Sequence, residues 1–212
     1  MVLEKISEAL QDGNSAEVGR LVKSAIDANI PVQDILNKAL IDGMSKIGAK
    51  FKCNEVYVPE VLMAARAMHV GLNILKPLLA AKGIKPRGKV VLGTVKGDLH
   101  DIGKNLVAMM LQGAGFDVKD LGNDVSAEKF VQAAEAENAQ IVGLSALLTT
   151  TMPHMKEVIS KFVESGTRSK VKILVGGAPL TAEYAKEIGA DGYAPDAAEA
   201  ADVASALVPK TA

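Results

Sequence analysis

Two hydrophobic periods run along this chain, and they change over near residue 80. Up to about Ala81, apolar positions recur every three or four residues. Val18, Leu21, Val22, Ala25 and Ile26 form one stripe, and Ile35, Leu36, Ala39, Leu40, Met44 and Ile47 form another. The clearest is Val61, Ala65, Met68, Leu72, Leu75 and Leu79, whose steps alternate between four and three. That spacing places apolar side chains on one face of a helix. With the opening segment (Leu3, Ile6, Leu10), four amphipathic helices are expected. Four stripes joined by short loops bury best against one another, so residues 1–81 are expected to form a small four-helix bundle. Ser15 is the expected cap of the second helix, and Pro31 and Pro59 suit first turns.

The stretch Ala80–Lys89 holds two Gly, one Pro and four basic residues without an apolar period. It marks 82–88 as a linker. Beyond it, short β-branched runs alternate with helical patterns. Val90–Val95, Phe116–Leu121, Ile141–Ser145, Val171–Val175 and a short run near Tyr193 read as strands. Ile102–Ala114, Ala127–Glu137, Met152–Glu164, Leu180–Ile188 and Ala197–Leu207 read as helices. Five strands alternating with helices predict a parallel sheet covered on both faces over 89–212. Ligands on such sheets sit beyond the carboxyl ends of the strands. The loops of interest are therefore 94–103, 121–126, 145–152 and 176–180.

Composition narrows the function. A chain of 212 residues, 49% hydrophobic and 23% charged, can bury a core and is not a disordered solvating segment. A net charge of -1 argues against a nucleic-acid footprint, and 3% aromatics without Trp argue against a base-stacking platform. The start, MVLEKISEAL, has no signal-peptide apolar region, and the longest apolar run, Ile141 to Leu148, is far shorter than the ~20 residues a membrane span needs. A single cysteine, Cys53, cannot form an internal disulfide or a Cys-rich zinc site. A soluble cytoplasmic protein without membrane or nucleic-acid partners is expected.

The loop after the first strand reads GTVKGDLHDIGKN, Gly93 to Asn105. It is not a phosphate-binding loop. Five residues separate Gly97 from Gly103 where that motif has four, and Asn105 stands where Ser or Thr should hold magnesium. What it offers is Asp98, His100 and Asp101 at a strand's carboxyl end. By themselves these are also ordinary for a solvated turn. His69 and His154 lie in helical patterns with no second ligand at a zinc spacing.

Asp98-x-His100-x-x-Gly103, then Ser145-x-Leu147, then Gly176-Gly177 resembles the cobalamin-binding signature D-x-H-x-x-G, S-x-L, G-G. The three pieces follow the first, third and fourth expected strands, where that family places them. Upstream, Gly43 to Met68 resembles the helical cap that precedes the cobalamin domain in methionine synthase and in the small corrinoid proteins of methylamine and methanol methyltransferase systems. The resemblance spans about residues 5–208. It implies a helical cap followed by a flavodoxin- or Rossmann-like α/β domain, and a stand-alone corrinoid carrier without a complete active site of its own.

The resemblance also implies roles. His100 would be the axial ligand of cobalt, with the cofactor held base-off and His-on, and Asp98 would orient and tune it. Thr151, where methionine synthase has Ser, would complete a His–Asp–hydroxyl relay; the same hydroxyl could instead cap the helix that follows. Gly97, Leu99, Asp101, Ile102, Gly103, Ser145, Leu147, Thr149, Gly176 and Gly177 would line or underlie the buried nucleotide tail, with Gly93 allowing close approach. Tyr193 and Asp196 would border it. Phe51, Val58 and Val61 would cover the upper corrin face. Cobalt would cycle between Co(I) and methyl-Co(III), taking a methyl group at one substrate-specific methyltransferase and giving it up at a second, with a reductive activase as a further partner. Alternatives are the small subunit of an adenosylcobalamin mutase, a cobalamin-dependent regulator, and a flavodoxin-like module without cobalamin.

Overall fold

The computed structural model describes residues 1–208; the last four positions of the expected 89–212 domain, 209–212, lie outside the described residues. The chain divides into two compact units, one of Met1–Lys85 with Gly113–Gly115, the other of Pro86–Gln112 with the residues from Phe116 onward.

In the first unit, α1 (Val2–Gln11), α2 (Ser15–Asp27), α3 (Val32–Ile35), α4 (Asp42–Lys52) and α5 (Val58–Ala81) carry the stripes. A π-helical segment, Leu36–Ile41, joins α3 to α4, so the third stripe is one helical run with a local widening of the turn. Ile6, Leu10, Ile35, Leu40, Met44, Ile47, Met68 and Leu75 are completely or almost completely buried. The cap of α2 is Asn14, not Ser15. The Glu17 amide donates to Asn14 Oδ1 at 3.1 Å, and Ser15 is already the first helical residue. Pro31 stands at the N-cap of α3 and Pro59 in the first turn of α5.

In the second unit, β1 (Lys89–Thr94), β2 (Asp117–Asp120), β3 (Ile141–Ser145), β4 (Lys172–Gly176) and β5 (Gly192–Ala194) alternate with α6 (Ile102–Gly113), α7 (Ala127–Glu137), α8 (Pro153–Glu164), α9 (Ala182–Glu187) and α10 (Ala197–Leu207). The strands form one sheet in the order β2-β1-β3-β4-β5, every pair parallel. Val91, Val142, Ile173 and Val175 share one buried cluster with Phe130 of α7 and Phe162 of α8. The continuous apolar strands follow from burial on both faces. The linker is not wholly free. Arg87 donates to the carbonyls of Ser205 and Val208, at 3.0 and 3.3 Å, and stacks over Phe116.

This strand order reverses direction between β1 and β3, and the crevice beyond a reversal is where open α/β sheets bind ligands. The loops after β1 and β3 flank that crevice. Among the described residues, no helix is long and apolar enough to cross a membrane.

Candidate functional site

Asp98 is the centre of the arrangement. It sits four residues past the end of β1 and is 0% exposed. A buried carboxylate survives only if its oxygens are satisfied. Oδ2 accepts from Thr151 Oγ1 at 2.7 Å and from the amides of Leu147 and Leu148, at 2.8 and 3.2 Å. Oδ1 accepts from the His100 amide at 3.1 Å and lies 2.9 Å from His100 Nδ1. Burial pushes the Asp98 carboxyl up. The Thr151 hydroxyl, the Leu147 amide and both His100 donors outweigh that and hold it far below the usual carboxylate range.

An ionised carboxylate only accepts, so His100 Nδ1 carries a proton, and in the neutral ring Nε2 is the nitrogen with the lone pair. The imidazole is 51% exposed, and Nε2 forms no hydrogen bond among the described residues. The loop thus presents one oriented, outward nitrogen donor. The Thr151 hydroxyl has a second acceptor within reach, the Leu148 carbonyl at 2.9 Å. It does not cap α8: that helix has Met152 at its N-cap and no side-chain cap bond. Of the two roles open to Thr151 in the sequence, the geometry gives it the bond to Asp98.

Around this donor the surface is apolar. Leu99, Ile102, Leu147 and Leu148 are all exposed, Ile102 by 81%. Four large apolar side chains at the carboxyl ends of neighbouring strands form a patch of the kind that marks a ligand site.

Backbone geometry explains three of the loop glycines. Gly97 has φ +77, in the left-handed region. Gly177 has φ +137, and a Cβ there would stand 1.8 Å from the Ala146 carbonyl oxygen. Gly176 is tight against Ala194, whose carbonyl oxygen would be 3.0 Å from a Cβ. Gly103 differs from all of these. It has nothing within 4 Å of a Cβ position and no positive φ, so nothing in the described chain requires a glycine there.

The remaining expected site residues divide. Ser145 is half-buried at the end of β3, while Asp101 and Thr149 are exposed; the side chains of all three are without hydrogen bonds among the described residues. Tyr193 donates its hydroxyl to the Leu180 carbonyl at 3.0 Å, which commits it to the turn after β4. Asp196 caps α10 through the Glu199 amide at 2.8 Å. In the helical unit Phe51 is half-buried and Val58 exposed. Val61 is 0% exposed, in the buried stripe with Ala64, Ala65 and Met68, and has no surface to offer as a cover. It belongs to helix packing instead.

Sequence reasoning missed the residues that hold the His100 loop from outside. Thr94, buried at the end of β1, donates to the His100 carbonyl at 2.9 Å. Asn123 donates to the Leu99 carbonyl at 3.1 Å, and Asp124 Oδ1 accepts from the Gly97 amide at 2.7 Å. The run Gly122-Asn123-Asp124 is a turn signature, and that was the available signal.

An oriented imidazole beyond the strand ends at the sheet's reversal, in loops that also expose leucine and isoleucine, suits a large, partly apolar, metal-bearing cofactor. Residues 88–202 match the B12 binding domain family, and residues 2–76 match a second B12 binding domain family. A corrinoid protein of Desulfitobacterium hafniense is 43% identical over 99% of this chain and 98% of its own. Dimethylamine corrinoid protein 3 of Methanosarcina acetivorans is 42% identical over 98% of this chain and 97% of its own. The crystal structure of the methanol:cobalamin methyltransferase complex from Methanosarcina barkeri contains a chain 32% identical to this one. It superposes with a TM-score of 0.88, covering 99% of this chain and 80% of that chain. The chain belongs to the corrinoid proteins, with B12 binding domains along nearly its whole length.

The residues present fit such a group. His100 Nε2 is a nitrogen of the kind that could hold the metal of such a group. The open space over Gly103, beside exposed Ile102, leaves room for the cofactor to lie against the start of α6.

Proposed function

We propose that this protein is a cytoplasmic methyl carrier. When bound, the corrinoid supplies the cobalt that accepts a methyl group at one methyltransferase and yields it at a second. His100 is the axial ligand, and the cofactor is held base-off and His-on. The observation that carries this reading is the buried, ionised Asp98 fixed 2.9 Å from His100 Nδ1, which leaves Nε2 as the free donor. Asp98 orients the ring and raises its basicity. With a corrinoid bound, His100 Nε2 would be the nitrogen that holds the metal, and the Asp98 carboxylate beside Nδ1 would keep the ring in that orientation. The Thr151 hydroxyl, in reach of both Asp98 and the Leu148 carbonyl, would help hold that carboxylate in place.

Ser145, Leu147, Thr149, Gly176 and Gly177 would border the nucleotide tail. The dimethylamine naming of the relatives supports a methylated amine as the first methyltransferase's substrate. The methanol:cobalamin methyltransferase complex supports direct docking of such a partner. A reductive activase is the third partner. A mutase subunit is disfavoured by the matched helical domain over 2–76.

The test is reconstitution with hydroxocobalamin. His100→Ala should retain the corrinoid, change the visible spectrum and move the reduction midpoint toward reduced cobalt. Asp98→Asn should act more mildly, within the about 10–100-fold in affinity typical of groups that support a metal ligand. Thr151→Val should act less still. A His100→Ala protein with the wild-type spectrum and midpoint would overturn the reading.

A further inference from the structure

The turn after β2 has no part in the signature, yet it holds the loop that carries His100. Asp124 Oδ1 accepts from the Gly97 amide at 2.7 Å, and the Asp124 amide donates to the Asp98 carbonyl at 3.0 Å. One residue thus grips the loop through its side chain and its backbone, on either side of the peptide bond entering Asp98. Asp124 can do so because its φ is +51, a left-handed conformation that Asp and Asn tolerate better than other residues with a Cβ. The turn is itself anchored. The Gly122 amide donates to Asp120 Oδ1 at 2.8 Å, and the buried Lys104 ammonium pairs with Asp120 Oδ2. Lys104 is on α6, the helix that follows His100. The loop, the helix and the turn therefore close into a ring, and His100 is presented from inside it.

We infer that Asp124 is a positioning residue of the ligand loop, acting on its Gly97–Asp98 segment alongside the bonds from Thr94 and Asn123. Its carboxylate and left-handed backbone set where Asp98 and His100 stand, so they govern how fully His100 engages cobalt. This rests on the reading of His100 as the axial ligand. Asp124 touches neither the imidazole nor the Asp98 carboxylate, so its influence passes only through the loop backbone.

Three variants separate the parts of the device. Asp124→Asn keeps an Oδ1 acceptor and the tolerance for positive φ. Asp124→Gly keeps only the backbone freedom, and Asp124→Ala keeps neither. Amide hydrogen exchange is measured on the apo-protein at Gly97 and at His100. The His100 amide bonds to Asp98 and not to Asp124, so loss of a merely local bond would move Gly97 alone. In Asp124→Gly we expect exchange roughly tenfold faster at Gly97, with His100 accelerated as well. We also expect a fraction of the hydroxocobalamin-loaded protein to show the spectrum of His100→Ala. Asp124→Asn should restore both. Should Asp124→Ala fail to fold, the Gly and Asn variants decide. Unchanged exchange at His100 together with a wild-type spectrum in Asp124→Gly would overturn the inference. A wild-type spectrum matching that of His100→Ala would instead defeat the ligand assignment, and the exchange rates would still decide the brace.

Discussion

A Cβ at position 177 would meet the Ala146 carbonyl oxygen at 1.8 Å, on a backbone with φ +137 that side chains rarely adopt. The loops after β3 and β4 close on each other only because that atom is missing; the Ala146 amide donates to the Gly176 carbonyl at 3.3 Å beside it. Gly177→Ala should therefore destabilise the apo-protein by about 2 kcal/mol or more, from backbone strain and displaced backbone together. A thermal melt without cofactor measures this, and an unchanged midpoint would show that the two loops part at little cost. At the same scale, Asp98 and His100 are legible in the sequence because D-x-H-x-x-G is a side-chain motif. The amides of Leu147 and Leu148 that satisfy Asp98 are not, since a backbone donor has no signature in side-chain identity. Thr151 was open between two roles for the opposite reason: a hydroxyl before a helix has a plausible local partner, and only the fold brings a distant carboxylate within 2.7 Å.

Among the elements, the strongly periodic ones are read closely from sequence. β3, α7 and α10 have the bounds their patterns predict, because burial on a sheet or against it enforces the period. Less legible are the π-helical segment Leu36–Ile41, which leaves the apolar stripe almost unbroken, and the cap of α2, where Asn14 and Ser15 are both good capping residues. The start of α6 supports a prediction that separates folding from binding. Gly103 is the second residue of that helix, with open space where a Cβ would go. Gly103→Ala should leave the apo-protein as stable or gain up to about 1 kcal/mol from better helix propensity. If the space is there for the corrinoid, the same variant should bind hydroxocobalamin more weakly. Paired melting and titration curves check it: equal affinity would make Gly103 incidental, whereas a destabilised apo-protein would mean that the helix start is tighter than it stands.

For the molecule as a whole, each unit has its own buried core, one of helical stripes around Ile6, Leu40 and Met68, the other of Val91, Val142 and Phe130 against the sheet. Separate cores permit separate unfolding, so the chain need not melt as one two-state body. The proposed ligand contacts with His100, Ser145 and the glycine loops all belong to the α/β unit. A cofactor that binds only the folded form stabilises it by about 2.7 kcal/mol at a free concentration one hundred times Kd. For a unit of this size that amounts to a rise in Tm on the order of 10 °C. Calorimetry of the full chain should therefore show the α/β transition moving upward with hydroxocobalamin. His100→Ala should keep most of the shift, because the buried tail would still hold the cofactor. If corrinoid left every transition in place, the crevice at the β1–β3 reversal would not be its site, however well the motif matches.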